Sequence, residues 1–165
     1  FLEDVLRRIS LASGKDEEGH YRAVSSSFMV SADNAHAVHP NHPEKADPIN
    51  RPMINKGIVI KSNAAQHYTT DAVSCAVFRD LCESNDIPVQ VFTNRSDTRG
   101  GSTLGNVSNA HVSLNTVDIG LAQLAMHSCY ETVGARDTKH LVDAMTIFYS
   151  KTFRVDAGGS FELLD

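Results

Sequence analysis

Four short apolar runs, at residues 25–32, 57–62, 89–93 and 116–119, alternate with segments whose apolar residues recur at helical spacing. Runs this short suit buried strands and are too brief for buried helices. Residues 1–12 place Leu2, Val5, Leu6 and Ile9 on one face, with Glu3 and Asp4 early and Arg7 and Arg8 late, as the helix dipole favours. Residues 70–83 carry Val73, Val77, Phe78 and Leu81 behind a Thr/Asp start, which predicts a second amphipathic helix. Residues 137–153 predict a closing helix that buries Leu141, Ala144, Met145, Phe148 and Tyr149. Two stretches read as loops. Residues 13–19 are charged and Gly-bounded, with Glu17 and Glu18 inside them; residues 34–51 hold Pro40, Pro43 and Pro48, which break either ladder. This alternation predicts an α/β sandwich with the sheet in the middle.

A chain of 165 residues is long enough for one domain with an adequate core. Hydrophobic residues at 41% and charged residues at 21% argue against wholesale disorder. The formal charge of -5 offers no basic face for nucleic acid, so no nucleic-acid partner is expected. No apolar run approaches the roughly 20 residues of a membrane-spanning helix, and no signal peptide is recognised, so no membrane partner is expected. The first residue is Phe1, inside a predicted helix, and the expectation is a piece of a longer chain. Cys75, Cys82 and Cys129 are odd in number and widely spaced, without a CxxC pair. A disulfide framework or zinc knuckle is not expected, and a reduced, cytoplasmic protein is. Cys75 and Cys82 sit among apolar neighbours and read as core residues.

Open α/β sheets gather their chemistry beyond the carboxyl ends of strands. That directs attention to Asp33, to the loop after it, and to residues 95–105. Asp33 ends a predicted strand and is followed by His36, His39 and His42 at three-residue spacing. Zinc accepts carboxylate oxygen and imidazole nitrogen, but the prolines preclude a helix aligning all three histidines, so one or two converge. A polar surface loop explains the same run. His127, in an apolar neighbourhood, reads as a core histidine or as a distant metal ligand. Lys61 ends an otherwise buried strand, and buried lysine is rare unless paired; it is an edge lysine or a reader of an acidic ligand. Tyr68 packs, or donates its hydroxyl to an oxyanion. Residues 95–105 lack the P-loop lysine and the dinucleotide fingerprint, and read as a tight loop in which Asp97 anchors the turn or pairs with Arg95. No GxSxG motif occurs and no cysteine has an obviously electropositive setting, which disfavours serine and cysteine hydrolases.

Five motifs occur in order: FLEDVLRRI at 1–9, SADNAHAVHPN at 31–41, NKGIVIKSNAAQHYTTDAV at 55–73, RSDTRGGSTLGNV at 95–107 and VDIGLAQLAMHS at 117–128. Together they resemble the C-terminal portion of an aspartyl aminopeptidase of the M18 metallopeptidase family, over nearly the whole chain. The resemblance implies a three-layer α/β/α sandwich with a central mixed sheet, two zinc ions per intact active site, and release of N-terminal Asp or Glu from peptides. It also implies a homo-oligomer when intact. Carried over position by position, Asp33 and His127 match zinc ligands, while His36, Lys61 and Tyr68 match substrate-binding residues. Lys61 would read the acidic side chain. His39 lies in a matched motif without an assigned role. Gly100, Asn106, His67 and Tyr130 stand where the family usually has Cys, Pro, Arg and Arg.

The family's His-x-Asp element, bridging aspartate and Glu-Glu pair would precede Phe1, and so would its dimerisation domain. Glu17-Glu18 is not that pair, because the family's precedes the segment matching residues 1–9. The expectation is therefore that residues 1–165 are the C-terminal part of a catalytic domain, without a catalytic base and inactive alone. Two alternatives stand beside it: a non-catalytic metal-binding or self-association domain, and a metallohydrolase acting on other amides.

Overall fold

The computed structural model describes residues 1–156 and 160–164. Strands β1 (Phe28–Ala32), β3 (Ile58–Lys61), β4 (Val89–Phe92) and β5 (Asn115–Gly120) form one sheet in the order β1-β5-β3-β4. β1 runs parallel to β5 and β3 parallel to β4, while β3 and β5 pair antiparallel, so the sheet is mixed. Side chains alternate between faces along each strand. One face presents Ile58, Ile60, Val117 and Ile119, fully buried beneath α3 (Ala72–Glu83) and α5 (Ala135–Ser150), which contribute Phe78, Leu81, Cys82 and Ala144. Burial pushes the Cys82 thiol up to about 12. The opposite face carries Ser31, Val59, Lys61 and Asp118, and α4 (Leu104–Asn109) lies on it. A Cβ at Gly105 would meet Ser31 Oγ at 2.4 Å and Asp118 Oδ1 at 2.9 Å, so only glycine lets α4 approach this closely. The three layers are therefore helices, mixed sheet, helix.

α3 begins with a capping box, in which Asp71 accepts from Ser74 N at 2.7 Å and Ser74 Oγ accepts from Asp71 N at 3.0 Å. The predicted inward face is kept at Phe78 and Leu81, but Val73 is exposed in the first turn. Part of the segment read as a charged loop is helical: α2 (Glu17–Ser25) is capped by Asp16, which accepts from Gly19 N at 2.8 Å. Glu17 and Glu18 form its acidic first turn. The buried pair Ser10 Oγ and His20 Nδ1, 2.9 Å apart, ties α2 to α1 (Leu2–Ala12), whose Ile9 is exposed. Because α2 runs to Ser25, β1 starts at Phe28 rather than at Ser25.

The closing helix ends at Ser150 instead of 153. Lys151 is extended, and β8 (Thr152–Val155) pairs antiparallel with β9 (Phe161–Leu164). Phe153 stacks on Phe28 with ring centroids 5.1 Å apart, a contact available only after the helix stops. Tyr149 falls off the buried stripe of Leu141, Ala144 and Phe148 and is exposed. The proline-rich segment is largely irregular as expected, with a 3-10 turn at Pro43–Lys45. It also contains β2 (Ala35–His36), which pairs parallel with β6 (Ala122–Leu124); β6 pairs in turn with β7 (Thr132–Val133). Among the described residues no helix is long and apolar enough to cross a membrane.

Candidate metal and peptide site

Asp33 lies one residue beyond β1, where its backbone N–H still donates to Ile119 O at 3.0 Å. The chain then passes so close to Gly120 that a Cβ there would lie 2.0 Å from Asp33 O. That carbonyl accepts a hydrogen bond from Lys61 Nζ at 2.7 Å. Lys61 ends β3, as the sequence suggested, and is only 1% exposed. It is a buried, tethered cation rather than an edge lysine. The β3/β5 register pairs Val59 with Gly120 and Ile60 with Ile119, which sets Lys61 opposite Asp118.

Asp118 is the residue the sequence reading passed over. It is fully buried on the polar face and accepts from Thr69 N (2.7 Å), Thr69 Oγ1 (2.8 Å) and Thr103 Oγ1 (2.9 Å). The available signal was an aspartate inside an apolar strand, TVDIG, because a buried carboxylate is rare unless paired. The Asp118 backbone N–H donates to Thr70 Oγ1 at 2.9 Å. These bonds strap residues 69 and 70 to β5 and hold Tyr68 beside Lys61, whose Nζ lies 5.2 Å from the ring centroid. Burial lowers the Lys61 ammonium from its ordinary value, against the opposing fields of Asp118 and Asp33. Burial raises the Tyr68 hydroxyl, and the same two carboxylates add to the effect, so the phenol stays a hydrogen-bond donor.

His36 follows in β2, held by the β2/β6 pairing with His36 opposite Gln123. Although the residue is exposed, partial shielding of its ring lowers the imidazole first, then the fields of His127 and Lys61 do, which places all three in one electrostatic neighbourhood. His127 sits in the turn after β6 and is exposed, not a core histidine. Ala125 and His127 both adopt left-handed backbone, at φ 56 and φ 64, a strained arrangement for residues with a Cβ. Glu131 Oε1 accepts from His127 N at 2.6 Å and holds that turn. Asp33, His36, Lys61, Tyr68 and His127 are thus brought together, whereas His39 and His42 lie further along the loop with their rings 5.3 Å apart.

The loop at 95–105 closes the other side. Arg95 grips Asp97 with Nε to Oδ1 at 2.8 Å and Nη2 to Oδ2 at 2.6 Å, and it also donates to Glu44 O. This pair lowers the Asp97 carboxyl and raises the Arg95 guanidinium. Of the two readings of Asp97, the structure shows the pairing with Arg95. Exposed Asp33 and His127 suit a metal such as zinc in kind, offering one carboxylate and one imidazole. They do not suffice in number, because among the described residues no three His, Cys, Asp or Glu side chains group as a metal cluster.

Comparison with known proteins identifies the family. The sequence model of the aminopeptidase I zinc metalloproteases (M18) matches residues 1–149. A probable M18 family aminopeptidase 2 from Clostridium acetobutylicum is 51% identical over 150 residues, covering 91% of this chain and 35% of its own length. The chain thus spans about a third of the curated relatives it matches. Among solved structures, the cryo-EM structure of the Ape4 and Nbr1 complex superposes with a TM-score of 0.87 at 39% identity, covering 90% of this chain and 28% of that one. The S. cerevisiae mApe1 dodecamer superposes with a TM-score of 0.75 at 28% identity, covering 91% and 33%. The chain belongs to the M18 family of aminopeptidase I zinc metalloproteases.

Proposed function

We propose that this chain is the C-terminal part of the catalytic domain of a cytoplasmic metalloaminopeptidase that releases N-terminal Asp or Glu from peptides. The observation that carries the reading is the buried Lys61 amine, held on the carbonyl of Asp33 beside exposed His36 and His127. Asp33 and His127 would hold zinc, with two ions in the intact site and the remaining ligands and glutamate base outside these residues. When bound, zinc makes a coordinated water nucleophilic near neutral pH and polarises the scissile carbonyl. His36 and Tyr68 would orient the peptide and donate to its carbonyl oxygen. Lys61 spends one of its three N–H groups on Asp33 O; its charge would favour a carboxylate over a neutral side chain in a partly desolvated site. A homo-oligomer is the proposed assembly, in keeping with the dodecameric yeast relative.

The test is hydrolysis of N-terminal Asp and Ala peptides by the chain, with and without the family's upstream segment restored. Activity is expected only with that segment. In the restored protein, Lys61→Ala is expected to cut the Asp-over-Ala ratio of kcat/KM about tenfold. An equal fall for both substrates removes Lys61 from substrate recognition. A second reading is a non-catalytic metal-binding or self-association domain, in which Asp33 and His127 offer two donors, fewer than the three protein ligands of a catalytic zinc site. No hydrolysis after restoration would select it.

A further inference from the structure

Beyond His36 lies a cavity of about 300 Å³, walled by the loop after β2 and the loop after β4. His36, His39, His42, Lys45, Arg95 and Arg99 line it, a concentration of basic side chains in a chain whose net charge is -5. Several of these are already committed. Arg95 is clamped on Asp97 and Glu44 O, and His42 Nδ1 lies 3.3 Å from Glu44 Oε1. The one carboxylate in the wall, Asp47, accepts from Ile49 N, Asn50 N and Asn50 Nδ2, bonds that hold it ionised as a turn anchor. The Arg99 guanidinium and the Lys45 amine form no hydrogen bond or ion pair among the described residues, and both face solvent at the cavity. Asn94 adds a buried Oδ1 without a hydrogen-bond partner to the cavity wall.

We infer that this cavity is a subsite for an acidic side chain on the peptide downstream of its N-terminal residue, read by Arg99 and Lys45. The inference rests on the peptidase reading above. If Lys61 reads the first side chain from the floor of the site, a peptide running past His36 enters this cavity next. The volume admits more than one side chain, and the two exposed cations select for carboxylate by charge-assisted hydrogen bonds.

The experiment compares Asp-Glu-Ala with its isostere Asp-Gln-Ala in the restored protein at low ionic strength. The expected result is a Glu-over-Gln advantage of about fivefold, as for a partly exposed charge pair. It should be lost in Arg99→Gln, kept in Arg99→Lys, and weakened by salt. No advantage, or one untouched by Arg99→Gln, overturns the subsite. The peptidase reading fails separately, if Asp at the first position gains nothing over Ala. Should the protein not cleave, NMR titration of the chain with the same two peptides decides. Larger shifts at Arg99 and Lys45 with Asp-Glu-Ala support the subsite, and equal or absent shifts overturn it.

Discussion

The most consequential single residue is Asp118. Its carboxylate receives three donors and faces the buried Lys61 across the β3/β5 pair. A buried charge pair contributes little net stability, yet removing one partner strands the other in low dielectric. Asp118→Asn is therefore expected to cost about 3–5 kcal/mol, read from the urea midpoint. The same change in a Lys61→Met background should cost clearly less, because no cation is left uncompensated. Equal costs in both backgrounds would mean that Lys61 and Asp118 do not interact. Lys61 itself was conspicuous in the sequence as the one charge closing GIVIK. Its partner stayed hidden because strand register is a long-range property, written in no local spacing.

At the scale of elements, α3 shows how far local signals reach. Its cap at Asp71 and its buried residues Phe78 and Leu81 follow from side-chain type and a 3.6-residue period. Loss of the capping box in Asp71→Ala should cost about 1 kcal/mol, seen as a fall of roughly 2–4 °C in Tm. An unchanged Tm would show that tertiary packing alone holds that end. α2 was less legible. Asp16 and the Glu pair are a start signal, but nine residues with few apolar positions give no stripe to recognise. The end of α5 was misread for a different reason: Phe153 continues the apolar run, and only its stack on Phe28 tells strand from helix.

Across the whole molecule, the core and the candidate metal donors are separate. The larger apolar cluster lies between the sheet and α3 with α5, a smaller one of Ala35, Val59, Tyr68, Phe92 and Ala122 lies on the site's face, and exposed Asp33 and His127 belong to neither. Folding of this chain should then be insensitive to metal, unlike a zinc finger, whose folding energy is metal binding. Addition of a chelator is expected to move the Tm by less than about 2 °C. A collapse of the transition on chelation would instead reveal a structural metal.

Taken alone, the sequence determined the alternation of strand and helix, the irregular proline-rich loop, the ordered motifs of the family and the types of residue available for chemistry. These follow from local periods, backbone restrictions and side-chain identity, which act over a few residues. The tertiary structure decided which of those residues meet. It buried Lys61 on Asp33 O and opposite Asp118, carried His127 out of the core into a strained turn beside His36, and folded two distant loops into one basic cavity. Such meetings depend on strand register and on glycines that permit close approach, and those are settled only when the whole chain packs.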